Sequence, residues 1–174
     1  CLEAARFLLA SDHEVLAPLN RKPGLVLFGG SAGGHLALMT GLRLAPGQAR
    51  AVVDIAGPTD LLLRVGQRGR EIFEPFFARP AGEITDRMLL QASPVSYVKH
   101  DAPPLLCTHS TNDTLVPIEH AHPIKKAYRE VGARAELYAY AGPGDLHGIW
   151  VEGSDPHRLL PELEQTLATF LKSV

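Results

Sequence analysis

The stretch Leu25-Val26-Leu27-Phe28-Gly29-Gly30-Ser31-Ala32-Gly33-Gly34-His35-Leu36-Ala37-Leu38 decides how the rest of the chain is read. It opens as a short apolar run, crosses a turn made of glycines with one serine and one alanine, and continues as a segment apolar nearly all round over 36–44. The first part reads as a strand, and the last as a helix buried against a sheet. A strand that runs straight into a helix leaves the intervening residue in a tight turn, where neighbouring side chains must be tiny to clear the adjacent backbone. Gly29 and Gly33 meet that need on either side of Ser31. The spacing is G-x-S-x-G, which lifts a serine hydroxyl out of the sheet and points the unpaired N–H groups of the helix start toward it. A glycine-rich strand-to-helix turn also cradles phosphate. The residues fit that alternative less well: the lysine of G-x-x-x-x-G-K-[ST] is absent, G-x-G-x-x-G is met only loosely, and no acidic ribose partner is obvious at the second strand's end.

Outward from this turn, residues 51–55, 105–108 and 136–140 form further short apolar segments bounded by Gly, Pro or polar turns. Runs 25–28, 51–55 and 105–108 are nearly continuous in apolar character, as expected where helices cover both faces of a parallel sheet; 136–140 alternates more. Ala121, Ile124, Tyr128 and Val131 recur at helical steps after Pro117 and before Gly132. Leu160, Leu163, Leu167 and Phe170 repeat the pattern, with Ser154 or Asp155 as a cap and Pro156 as a first-turn proline, and residues 2–9 make a leading helix. Strands alternating with helices predict a mostly parallel α/β sheet with its chemistry at the carboxyl ends of the strands. Residues 59–100 break the rhythm, being long, proline-bearing and aromatic, with Phe73, Phe76, Phe77 and Tyr97. They read as an excursion over one end of the sheet, either a lid or substrate wall or a purely structural cover.

The 174 residues suit one domain, 1–174, with one core; 45% are apolar, and 17 basic against 19 acidic side chains leave a net charge of -2. No Lys/Arg run exceeds two residues, so neither a nucleic-acid nor an acidic-membrane partner is expected. No apolar run reaches the roughly 18 residues of a membrane span. Cys1 and Cys107 form no metal pair and no disulfide framework; a reducing, cytoplasmic compartment is the mild default, and the N-terminal Cys leaves localisation otherwise unread.

A serine hydroxyl needs a base within hydrogen-bond reach and a carboxylate that holds the base in one tautomer. Asp113 follows the third strand in Ser110-Thr111-Asn112-Asp113, and His147 follows the fourth in Gly142-Pro143-Gly144-Asp145-Leu146-His147. With Ser31 after the first, they stand in chain order, each following a strand. Rival bases are His35, just beyond the turn, and His109, which reads as a packed structural histidine; His13, His100, His120, His122 and His157 read as surface side chains. Rival acids are Asp54, Asp101 and Asp145. The histidines lack the paired spacing of a zinc site, so neither metal nor cofactor is expected.

Together, Gly-Gly-Ser-Ala-Gly-Gly-His-Leu-Ala at 29–37, Ser-Pro-Val-Ser-Tyr-Val at 93–98, Pro-Pro-Leu-Leu-Cys-Thr-His at 103–109, Asn-Asp-Thr-Leu-Val-Pro at 112–117 and His-Gly at 147–148 resemble the α/β-hydrolase superfamily, and within it the carboxylesterases and carbohydrate-esterase-like enzymes. The resemblance implies a three-layer α/β sandwich acting on a small ester. It implies Ser31 as nucleophile, Asp113 as orienting acid, His147 as general base and then acid, and the Ala32 N–H as half of an oxyanion hole. Family members carry further strands and a His-Gly-Gly-Gly-type loop ahead of the serine turn, supplying the second oxyanion donor. Nothing like it precedes Ser31 here, so the strand at 25–28 is expected to have an open edge, covered by a preceding segment, another chain or a second copy. Low esterase activity of the 174-residue chain is the matching expectation. Two other readings stay open: a prolyl-oligopeptidase-like serine peptidase, and a non-catalytic remnant serving as an association module.

Overall fold

The computed structural model describes residues 1–10, 23–141, 147 and 159–174. Four strands, β1 (Leu25–Gly30), β2 (Ala49–Ile55), β3 (Leu105–Ser110) and β4 (Ala135–Tyr140), pair side by side in chain order, every pair parallel. Consecutive parallel strands need a crossover, and α2 (Ala32–Gly41) and α5 (Ala121–Glu130) supply two of them. The inner strands are covered on both faces. On one side Val52, Leu105 and Cys107 meet Leu38 of α2, Leu42, and Ile124 and Tyr128 of α5. On the other, Ala51, Val53 and Leu106 meet Leu163, Leu167 and Phe170 of α6 (Pro161–Lys172). Helices, sheet and helix thus form three layers, each buried Leu or Phe contributing about 1.5–3 kcal/mol through the surface it removes from water.

Continuous burial holds for β2 and β3 but not for β1, the edge strand among the described residues, whose two faces differ: Leu27 packs toward α2 while Val26 and Phe28, on the other face, are exposed. Helix ends also follow local chemistry. Gly132 adopts φ +72°, outside the reach of most side chains, and lets the Ala133 N–H return to the Tyr128 carbonyl at 2.9 Å, which closes α5. The last helix starts at Pro161, not near Pro156; Leu160 is its N-cap, and the expected cap at Ser154 or Asp155 lies outside the described residues. At the other end of the chain, α1 (Leu2–Ala10) buries Ala5.

Residues 59–100 form successive short turns, because Pro75, Pro80 and Pro94 interrupt any longer helix. They comprise 3₁₀ turns at Gly69–Phe73, Ala81–Glu83 and Pro94–Tyr97, a single α-turn α3 (Glu74–Phe77) and α4 (Asp86–Ala92), capped by Thr85. Leu61, Ile84, Leu89 and Ala92 give the segment a small core of its own, flanked by Phe73 and Phe77. Among the bonds that fasten it to the rest of the fold, His35 Nε2–H donates to the Ala92 carbonyl at 2.7 Å, the Thr59 hydroxyl donates to the His120 carbonyl, and the Gly66 N–H donates to the Leu115 carbonyl at 2.6 Å.

Candidate active site

Between β1 and α2 the backbone bends at a single residue. Ser31 sits at φ 54°, ψ -124°, a conformation costing about 1–3 kcal/mol that surrounding contacts must hold. Its N–H donates to the Ile55 carbonyl at 2.7 Å, tying the bend to the end of β2, and its own carbonyl receives the His35 N–H at 3.1 Å. A Cβ on Gly29 would overlap the Gly33 backbone, so glycine is required at 29. Gly33 faces open space: contrary to the reading from spacing, contact demands no glycine there. As the first residue of α2, Ala32 has no carbonyl one turn back within the helix to receive its N–H, which lies at the positive end of the helix.

Asp113 enters from the loop after β3. Its side chain is fully buried, and Oδ1 accepts from the N–H groups of Leu115 at 3.0 Å and Val116 at 2.9 Å. Both bonds fold the loop around the carboxylate and fix its plane. Oδ2 is left to accept from His147 Nδ1 at 2.7 Å, and Nε2 of the same ring lies 2.8 Å from Ser31 Oγ. With Nδ1–H committed to Asp113, Nε2 is the acceptor and the serine hydroxyl donates to it. The three residues expected after the first, third and fourth strands therefore form one hydrogen-bonded line from buried carboxylate to half-buried serine.

The rivals fall elsewhere. Asp101 is exposed, as are His100 and His122, while His13, His157 and Asp145 lie outside the described residues. His35 commits Nε2–H to the Ala92 carbonyl at 2.7 Å, and burial lowers its pKa. His109, fully buried, donates Nε2–H to the Val116 carbonyl at 2.7 Å, 3.7 Å from Asp113 Oδ2; burial lowers its pKa too and leaves it a neutral brace for the acid loop. His120 is not a surface residue. It is fully buried, its Nε2 3.2 Å from the Arg64 carbonyl, because residues 59–100 fold back over the start of α5.

Asp54 lies beneath the bend rather than in the hydrogen-bonded line. Its Oδ1 rests where a Cβ on Gly34 or Gly57 would sit, and Cys107 Sγ–H donates to Oδ2 at 3.7 Å. Burial pushes this carboxyl up to about 7, with the thiol bond opposing the rise; burial likewise raises the Cys107 thiol, and Asp54 adds to it. The pairing of Gly29 with Asp54 across the β1–β2 ladder places the carboxyl there, a signal that only the strand register carries. Beside Ser31 opens a cavity of about 230 Å³, walled by Ala32, His35, Leu61, Phe73, Phe76 and Val116 among others. No spacing rule points to it, since its walls come from the bend, the acid loop and residues 59–100.

The chain is similar to known proteins in sequence and in fold. The BD-FAE family model matches residues 3–128. A probable carboxylic ester hydrolase of Mycobacterium tuberculosis, LipM, is 30% identical over 130 residues, covering 66% of this chain and 30% of LipM. The chain therefore spans about a third of that relative's length. Among solved structures, the butyrate-bound esterase Est2 of Thermogutta terrifontis superposes with a TM-score of 0.61 at 26% identity, covering 85% of this chain and 55% of Est2. An acylaminoacyl peptidase of Pyrococcus horikoshii shares the fold with a TM-score of 0.69 at 20% identity, over 91% of this chain and 26% of the peptidase. The chain belongs to the BD-FAE family of α/β-hydrolases.

Proposed function

We propose that the chain hydrolyses carboxylic esters through an acyl-enzyme on Ser31. The observation that carries this reading is the single imidazole of His147, within 2.8 Å of Ser31 Oγ on one side and 2.7 Å of Asp113 Oδ2 on the other. As Ser31 Oγ attacks the ester carbonyl, its proton passes to His147 Nε2, and Asp113 stabilises the imidazolium through Nδ1–H. Charge developing on the carbonyl oxygen is met by the Ala32 N–H at the head of α2, a donor worth about 3 kcal/mol in such sites. His147 then returns the proton to the departing alcohol. Water, deprotonated by the same nitrogen, attacks the acyl carbonyl; the bond to Ser31 Oγ breaks, and the acid leaves with Oγ reprotonated.

The esterase LipM and the butyrate held by Est2, a short carboxylic acid of the kind ester hydrolysis releases, support an ester over a peptide substrate. Hydrolysis of p-nitrophenyl butyrate by the purified chain tests the reading. Ser31→Ala and His147→Ala should abolish measurable turnover, and Asp113→Asn should lower kcat by about 10⁴-fold, the loss a wrong imidazole tautomer causes in the serine proteases. Turnover that survives Ser31→Ala, or cleavage of acyl-peptide anilides with no ester cleavage, would overturn it.

A further inference from the structure

The cavity beside Ser31 has a composition and position that define more than a generic ester site. We propose that it receives the acyl half of the substrate, as an uncharged aliphatic chain of about eight carbons or fewer, and that Phe76 sets the upper length. This rests on the acyl-enzyme reading of Ser31.

Position argues for the acyl side. Ser31 and Ala32, the attacking hydroxyl and the N–H that meets the carbonyl oxygen, belong to the cavity wall, whereas His147 does not. The leaving oxygen must lie against His147 Nε2 to take its proton. With the alcohol on that side of the carbonyl carbon, the remaining substituent points into the cavity.

Chemistry argues for an apolar, uncharged chain. Leu61, Val65, Ile72, Phe73, Phe76 and Val116 present only carbon to it. Among the described residues, the one ionisable wall residue besides the serine is His35, whose Nε2–H is already given to Ala92 and whose burial disfavours the cation. A carboxylate on the chain would find no counter-charge among these described wall residues.

Size follows from the volume. A cavity of roughly 150 Å³ takes benzene, so 230 Å³ holds about nine non-hydrogen atoms, an octanoyl group with its carbonyl oxygen. Phe76 is the most exposed of the large apolar wall residues, at 57%, and borders solvent. It stands edge-on to His35 at 6.0 Å and edge-on to Phe77 at 4.8 Å between ring centres. Two perpendicular ring contacts hold it at the solvent-exposed side of the cavity wall without burying it, which lets it be changed at little risk to the fold.

The test compares p-nitrophenyl esters from acetate to dodecanoate on the purified chain and on Phe76→Ala and Phe76→Trp. In the parent chain kcat/KM should rise up to about fourfold per added methylene, the value of burying each one, and stop rising near octanoate. Phe76→Ala should move that break at least two carbons longer and Phe76→Trp move it shorter. The p-nitrophenyl monoester of succinate should be at least tenfold slower than the butyrate. A break that stays put in both variants overturns the assignment, as does a length dependence that appears instead when alkyl acetates of increasing alcohol length are hydrolysed. Absence of any Ser31-dependent turnover across all esters would sink the acyl-enzyme reading itself; turnover with a profile indifferent to Phe76 would sink only this inference.

Discussion

Exchanging Asp54 for asparagine removes an ionisable group from beneath the serine bend while preserving its shape. The carboxyl is completely buried between Gly34, Gly57 and the Cys107 thiol, and burial moves its pKa from 3.8 to about 7. Between those values the folded chain retains a proton that the unfolded chain has released. The contribution of Asp54 to folding is therefore most favourable below pH 4, and each unit of rise across the window costs 1.36 kcal/mol of it; above about pH 7 both states are ionised and the loss is complete. About three units amount to about 4 kcal/mol, a large part of an ordinary domain's stability. Asparagine has no proton to hold, so the stability of Asp54→Asn relative to the parent should grow by about 4 kcal/mol from pH 4 to pH 7.5 and then level off. Urea unfolding followed by far-UV circular dichroism at half-unit steps, on both proteins, reads this directly, because titrations common to both cancel in the difference. Parallel curves within about 1 kcal/mol would mean that the carboxyl ionises in the fold as it does in water, and the burial argument would be wrong.

Other perturbations probe separate parts of the structure. His120 is buried, and burial lowers its pKa, so below about pH 6.5 the unfolded chain takes up a proton that the folded chain resists and stability falls with falling pH. In His120→Gln the urea midpoint should fall less steeply between pH 6.5 and 5 than in the parent; an unchanged slope would refute the burial. Leu163 of α6 is fully buried against the sheet, and Leu163→Ala should cost about 3 kcal/mol in the same urea assay at pH 7. A loss under 1 kcal/mol would show that α6 is not docked there. Gly34→Ala pushes a methyl group into Asp54 Oδ1 and should cost about 1–3 kcal/mol, a penalty expected to shrink by at least 1 kcal/mol when Asp54→Ala is present. Additive losses would refute the contact.

The layer order was legible because β2 and β3 are buried on both faces, and that burial leaves apolar runs with no alternation to confuse them. Ser31, Asp113 and His147 were legible for a related reason: parallel strands deliver their following loops to one end of the sheet, so residues far apart in sequence converge once the strands are placed. Features that depend on register or on chain return were not. Asp54 reads as a rival acid until the ladder sets it opposite Gly29 and under Gly34. His120 reads as polar surface until residues 59–100 close over it and Arg64 offers a carbonyl. Gly33 looked necessary by symmetry with Gly29, but the bend brings the Gly33 backbone against Gly29 and leaves Gly33 itself clear. The edge-on contact of Phe76 with His35, and the cavity it borders, has no periodic trace at all.

The measurement closest to the centre of the proposed chemistry is the site and rate of phosphonylation by an alkyl fluorophosphonate, followed by intact mass and peptide mapping. One equivalent should add to the peptide containing Ser31, at a rate reduced at least a thousandfold in His147→Ala, since that ring is the acceptor for the serine proton. Modification of a different side chain, or an equal rate on Ser31 without the imidazole, would contradict it.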